Sequence, residues 1–449
     1  MLAAGVCSVA MMLLPGPARA DATATAGASE AGSPGWLLLS AGLAGGFVAG
    51  TPTLGLDFTA AAGFDRADVV IGAPVRFELG GRSGSRFRLR TADWDEGDEV
   101  LRPLRLVRWH GDRFRVVGGE LSGIRLGHGA LVRGYVGNPE VDHHAVGLYA
   151  WLGLEALEVE LLVDDLPKVD VAALRVAWRP GVTRADLGVV RRWTLATTLA
   201  TDFFGVWQRT RPRKATSEGG VKLITGMETP ALAAMNLSAD YLWLPVGWLR
   251  VTPFAQLSGT VIEGSGVGVG LHAGGRVRAS LLGGSGAVSF SAAFVLAGPG
   301  YTPGLFGPLY RIERHGAPAR ASGPVGGSAR PLAVVLRGMR TRPRGVFDAQ
   351  LELGEIRVDA GYETPRGAPL GHRWWVRASL PRVGPVQGAF MVAGDGPSIL
   401  LGAVEAQLNV SWLQVRASLS REWITGDDGT LEPATSLWIA AAFAASWMK

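Results

Sequence analysis

The chain of 449 residues carries 64 glycines, about twice the usual ~7% share, and only 18% charged residues against roughly 25% in soluble domains. Its net charge of +5 comes mostly from Arg dispersed among apolar residues, not clustered on helical faces or beside aromatic platforms, which argues against a nucleic-acid partner. Mean hydropathy is positive, at +0.20, but no uninterrupted apolar block of helix-spanning length carries it.

Residues 1–20 read as a secretory signal peptide. Leu2 to Leu14 is apolar, Pro15-Gly16-Pro17 breaks the run, and Ala18-Arg19-Ala20 forms a small-x-small cleavage site before Asp21. No basic residue precedes the apolar stretch, a departure from the usual pattern. Cys7, the single cysteine, falls in this segment, so the mature chain is expected to have neither disulfides nor thiol chemistry. Residues 21–34, rich in Ala, Thr, Ser and Gly, read as a flexible leader.

From residue 35 onward the dominant period is two. Ala31 to Leu56 carries no charge and could start a membrane helix, but Gly42, Gly45, Gly46 and Gly50 interrupt it, and a hairpin turning near Gly45-Gly46 explains them better. Arg86, Arg88 and Arg90 then oppose Phe87 and Leu89, and Arg113 and Arg115 oppose Phe114 and Val116. Glu158 and Glu160 alternate with Val159 and Leu161. Val267, Val269, Leu271 and Ala273 alternate with Gly266, Gly268, Gly270 and His272, and Gly274-Gly275 is expected to shift the register before Arg276 and Arg278. Phe347, Ala349, Leu351 and Leu353 oppose Asp348, Gln350 and Glu352, and the phase flips after Gly354. Val404 to Val410 and Leu413 to Leu419 form a further pair. Alternation of this kind belongs to strands with one apolar face.

Turns and loops are uneven. His110-Gly111-Asp112 and the Gly354 turn are short, while stretches near 91–100, 119–144 and 298–330 are long. Short turns on one rim and long loops on the other are a feature of membrane barrels. Many of the 15 Trp residues sit where runs stop: Trp109, Trp178, Trp243, Trp248, Trp374, Trp423 and Trp438. Such placement suits rings held between hydrocarbon and headgroups.

The final run, Leu437, Ile439, Ala441, Phe443, Ala445 and Trp447, places apolar residues at alternate positions and closes on an aromatic. It resembles the terminal strand of Gram-negative outer-membrane β-barrel proteins, although Met448-Lys449 follows the aromatic. The resemblance is to porin-like barrels as an architecture, with no sharper motif. It implies an all-β fold, an antiparallel transmembrane β-barrel over 35–449 of roughly 16 to 18 strands. It also implies the cell outer membrane as location, with outer-membrane lipid and lipopolysaccharide, the barrel assembly machinery and small solutes as partners.

Arg86, Arg88, Arg90, Arg105, Arg113, Arg115, Arg276, Arg278, Arg377 and Arg416 fall on the polar faces of the runs and are expected to line a pore. Guanidinium rows lower the barrier for anions and raise it for cations. The alternative is that they pair with Glu158, Glu160, Asp348, Glu352 and Glu405 and stiffen the wall. Glu120, His128, Asp142 and His144 gather among glycines and are expected in a constricting loop; their spacing matches no zinc pattern, so neither metal nor cofactor is expected. Asp93 to Glu99 has oxygen ligands at calcium-like density but departs from the twelve-residue calcium loop, and Asp164-Asp165 reads as a turn. No Ser or Thr pairs with His and an acid at recognisable spacing, so no enzyme is expected. The reading is a passive pore for small, anionic or mixed solutes, with a barrel plugged by its loops as the alternative and a hydrolase third.

Overall fold

The computed structural model describes residues 36–48, 50–80, 87–90, 101–138, 144–181, 192–203, 231–262, 266–281, 285–315, 336, 340–353, 356–364, 371–383, 386–410, 413–425 and 431–448. The expected signal peptide and leader, Arg86, the acidic loop 93–99 and Asp142 lie outside these residues.

The wall opens with β1 (Trp36–Val48), β2 (Thr51–Phe64), β3 (Ala67–Leu79), the short β4 (Phe87–Leu89), β5 (Leu104–His110) and β6 (Phe114–Gly119). Next, β7 (Ser122–Arg125) and β8 (Arg133–Val136) pair as a separate hairpin. The wall resumes with β9 (Gly147–Gly153), β10 (Leu157–Val163), β11 (Val171–Trp178), β12 (Trp193–Asp202), β13 (Leu232–Tyr241) and the short β14 (Leu244–Val246). β15 (Leu249–Ile262), β16 (Gly266–Leu281) and β17 (Gly286–Ala297) precede the six-residue helix α1 (Tyr310–His315). The wall ends with β18 (Arg342–Leu353), β19 (Ile356–Glu363), β20 (Arg373–Val383), β21 (Val386–Asp395), β22 (Ser398–Val410), β23 (Leu413–Thr425) and β24 (Leu431–Met448).

These strands form one antiparallel meander. β24 returns to pair with β1 along its length, from Trp36 opposite Met448 to Phe47 opposite Leu437, which closes the sheet and removes its edge. Since, among the described residues, β4 pairs only with β3, and β14 only with β15, the closed wall has 20 strands. Roughly 16 to 18 were expected at about 10 residues per strand. The difference arises because β5, β9 and β10 have seven residues each and β6 only six.

The wall is inverted relative to a soluble protein. On β11 the buried inner positions include Ala173, Arg175 and Ala177, while Leu174 and Trp178 are exposed. On β15, Gln256, Ser258 and Thr260 are buried and Leu257 and Val261 face outward. A row of exposed Leu, Val and Phe beside a buried polar row is stable only where lipid solvates the outside, and closure satisfies the backbone there. The chain is a transmembrane β-barrel.

Three sequence expectations change in detail. The first hairpin forms, but it turns at Gly50, and Gly45 and Gly46 lie within β1, where Gly46 pairs with Trp438 and Thr53. β16 runs through Gly274-Gly275 without a shift, so Val269, Leu271 and Val277 share one exposed face. The tryptophans divide. Trp109, Trp178, Trp193, Trp243 and Trp248 are exposed at one rim, whereas Trp423 and Trp438 are buried within. Trp423 donates from Nε1 to the Leu400 carbonyl at 2.7 Å, and a satisfied indole need not seek the interface.

That rim is the end with the 64–67, 110–114, 281–286 and 353–356 turns, where β1 starts and β24 stops. The connections 119–147 and 297–342 leave from the opposite end. By the usual barrel rule the short-turn rim faces the periplasm.

Candidate functional site

The described parts of both long connections fold into the barrel. At Gly119 the chain leaves the wall with φ 118°, and a Cβ there would lie 2.2 Å from the Arg105 carbonyl oxygen, so only glycine permits this departure. The β7–β8 hairpin then runs inward and meets the segment following β17. Arg133 N donates to the Phe306 carbonyl at 3.1 Å, Phe306 N to Leu131 at 2.9 Å, and Gly304 N to Ala130 at 2.8 Å. The glycine-rich polar face of β16 explains how this segment fits. A Cβ on Gly270 would lie 2.1 Å from the Tyr301 ring, which instead rests on bare backbone.

Apolar contacts fasten this inner body to the wall. Leu131, Val132, Tyr135, Leu305 and Phe306 pack with Val117, Ala173, Ala200, Phe254 and Val295. On another side, Leu309 and Ile312 pack with Trp375, Met391 and Leu401.

Buried ion pairs pin it further. Arg311 of α1 bonds Asp164 at the end of β10 and donates from Nε to Tyr135 Oη at 3.1 Å. Arg314, one turn along, reaches Asp170 at 2.9 Å and Asp202 at 3.0 Å, and Tyr310 Oη donates to Asp202 at 2.6 Å. Burial by itself disfavours the Arg311 charge, but Tyr135, Asp164 and Asp170 outweigh it and hold the guanidinium pKa well above its usual value. Arg314 is raised in the same way, burial being opposed by Asp202 and Asp170. Burial raises the Tyr135 phenol, which stays neutral and able to donate. Arg373 ties β20 to Glu363 at 2.6 Å and to the Pro303 carbonyl at 2.5 Å.

The expected constriction residues separate. Glu120 bonds Arg105 and lies 3.3 Å from His144 Nδ1. His128, at the hairpin tip, stacks on Phe254 and lies 2.7 Å from Asp240. Each imidazole thus sits beside one carboxylate, and among the described residues no group of three His, Cys, Asp or Glu could hold a metal ion.

The expected pore-lining arginines also take different positions. Arg90 and Arg105 are buried, and Arg377 is buried with its guanidinium 2.8 Å from Asp359. Arg276 and Arg278 share the inner face of β16 with His272. Arg115 shares the face of Val117 on β6, and Arg416 lies 3.5 Å from Glu405. Arg88 is largely exposed at a sheet extension and pairs with Glu78 at 3.1 Å. Arg113 lies before β6 in the exposed turn rather than on an inner face, since the strand starts one residue later.

Between the hairpin and the short-turn rim lies a chamber of about 90 Å³. Five guanidinium groups line it, from Arg125, Arg276, Arg278, Arg357 and Arg377. Three carboxylates face them, from Glu160, Asp348 and Asp359. Its wall positions lie near the 281–286 and 353–356 turns, and Arg125 and Gly134 form the roof. The acids are themselves shared: Arg125 and Arg133 both reach Asp348 at 2.7 Å, and Arg175 reaches Glu160 at 2.8 Å.

Sequence reasoning missed the clamp. Asp164 and Asp165 read as a turn yet are fully buried, and α1 fell within a stretch without strand pattern. The available signal was Arg311 and Arg314, three apart and thus on one helical face, in a chain with acids at strand ends.

No family model matches the chain, and no curated protein matches it. Among solved structures, a BenF-like porin from Pseudomonas fluorescens is 9% identical with a TM-score of 0.31, covering 92% of this chain and 99% of that one. OpdK of Pseudomonas aeruginosa, with vanillate, is 10% identical at a TM-score of 0.30, with coverage of 92% and 99%. OccAB3 of Acinetobacter baumannii is 10% identical at 0.28, again with 92% and 99%. Likeness this slight adds nothing to the fold read from strand pairing.

Proposed function

We propose that this protein is a constricted passive channel of the outer membrane, for small solutes and with a preference for anions. The observation that carries the reading is an arginine-lined chamber inside a closed barrel whose outside is apolar. Twenty strands lie between the 16 to 18 that leave an aqueous channel and the 22 that leave a plugged lumen. A cross-section of that size narrowed by inner loops suits selective passage over general diffusion. Excess guanidinium charge in a low-dielectric wall concentrates anions and repels cations. The pore-lining roles fall to Arg105, Arg115, Arg276, Arg278, Arg377 and Arg416, all on wall strands, with Glu120, His128 and His144 serving the constriction. The exposed apolar series of β24, with Leu437, Ile439 and Phe443, supports insertion into outer-membrane lipid and lipopolysaccharide by the barrel assembly machinery.

Proteoliposomes carrying folded protein test this. They should release or admit small organic anions faster than neutral sugars of equal size. Equal rates would remove the anion preference. A tight vesicle would favour the second reading, a structural barrel closed by its plug, to which the apolar contacts on two sides of the inner body lend support.

A further inference from the structure

We infer that the chamber on the short-turn side is a binding site for a tetrahedral oxyanion, a phosphate or sulfate group free or carried on a small solute; this rests on the channel reading. Arg276 and Arg278 are two residues apart on the inner face of β16, hence about 7 Å apart along the strand. Directly across, on β17, Ser291 pairs with Arg276 and Ser289 with Arg278. These four neighbouring positions offer two guanidinium forks and two hydroxyls. From the roof, Arg125 adds a third guanidinium on the hairpin.

The surrounding acids leave this donor patch in excess. Asp348, next to Ser291 on β18, is already held by both Arg125 and Arg133. Asp359 is held by Arg377 at 2.8 Å and Arg357 at 2.9 Å. Glu352 draws on Arg278 at 3.4 Å and on Gln350 Nε2 at 2.9 Å, and Ser289 Oγ donates to Gln350 Oε1 at 3.4 Å. Widening the circle to the partners of lining groups adds Arg133 and Arg175 against Glu352, so the positive excess persists.

Donor directions set the ligand class. A carboxylate offers two oxygens whose acceptor directions are confined to one plane. Phosphate and sulfate present three or four oxygens in tetrahedral directions and can accept from two wall arginines, a roof arginine and serine hydroxyls together. Chloride has no directional demand. The patch lies within six residues of the Leu281–Gly286 turn, so the ligand should enter from the short-turn rim, the periplasmic side.

The test uses the full mature chain inserted with one orientation in a planar bilayer carrying a chloride current. Inorganic phosphate, sulfate, glucose 6-phosphate and acetate are added in turn to each side, with titration calorimetry of phosphate binding in detergent alongside. Phosphate and sulfate should halve the current at a concentration at least tenfold below acetate, and more effectively from the short-turn side. Glucose 6-phosphate acting like inorganic phosphate assigns the site to an esterified group; its failure restricts the site to the free ion. Arg276→Ser with Arg278→Ser should raise the blocking concentration at least tenfold. Should that pair fail to fold, Ser289→Ala with Ser291→Ala should weaken block several-fold. Acetate blocking as well as phosphate, or block unchanged in the serine variant, overturns the site while leaving the channel. Phosphate heat with no conductance supports the site and removes the channel.

Discussion

Arginine meets two regimes inside this barrel, one at each end of the lumen. At the loop end, Arg311 and Arg314 are buried and held by dedicated acids, Asp164 for one, Asp170 and Asp202 for the other. In the chamber at the turn end, Arg276, Arg278 and Arg357 are only partly covered, and Glu352 is shared between Arg278 and Arg357. One residue type therefore does two things. Desolvated and matched, it fixes the inner body, because the uncompensated charge left by a missing partner would be intolerable. Half-solvated and in excess, it leaves a field that a passing anion can feel.

Breaking the clamp should have the largest effect. Asp164→Ala strands Arg311 and should cost about 3–5 kcal/mol, read as a lower urea midpoint for the folded, heat-modifiable form. Single-channel conductance should rise as the inner segment loosens. A midpoint and conductance like the parent's would mean the clamp does not hold the plug. Next is the outer face: Leu271→Arg, on the exposed side of β16, should cost roughly 2–4 kcal/mol if that position lies near the bilayer midplane. A neutral outcome would place Leu271 in water.

Gly270→Leu sharpens the comparison from inside the same strand. The new side chain must displace the Tyr301 ring and with it the 2.6 Å bond between Tyr301 Oη and His272 Nε2. Overpacking of this kind costs about 1–3 kcal/mol, and current traces should become noisy as the inner segment loses its seat. Smooth, parental traces would contradict the tight seat. Smallest of all is Arg88→Ser. Its side chain is 58% exposed and pairs with Glu78 at the sheet extension, so stability should move by less than ~1 kcal/mol. A larger loss would show that β4 belongs to the barrel's load-carrying wall.

Much of the wall was legible because lipid and water impose a period of two that survives in single residues: Leu257 out and Gln256 in, Leu271 out and His272 in. Glycine at inner positions of β16 looked like a weak polar face, and its meaning appeared only with Tyr301 lying against it. The clamp was hidden for a different reason. Arg311 and Asp164 are separated by 147 positions, and Arg314 and Asp202 by 112, and nothing local pairs them. His128 and His144 read as companions because they are near in sequence. The hairpin carries them to different acids, Asp240 and Glu120. Arg113 failed by one residue of strand boundary, which periodicity resolves poorly.

The most direct test is the reversal potential of single channels in a potassium chloride gradient, compared between the parent chain and Arg276→Ser with Arg278→Ser. Small discrete steps are expected, with the parent's reversal potential displaced towards that of chloride and the variant's moved back towards potassium. Silence from protein shown to be folded and inserted, or identical reversal potentials, would contradict the account.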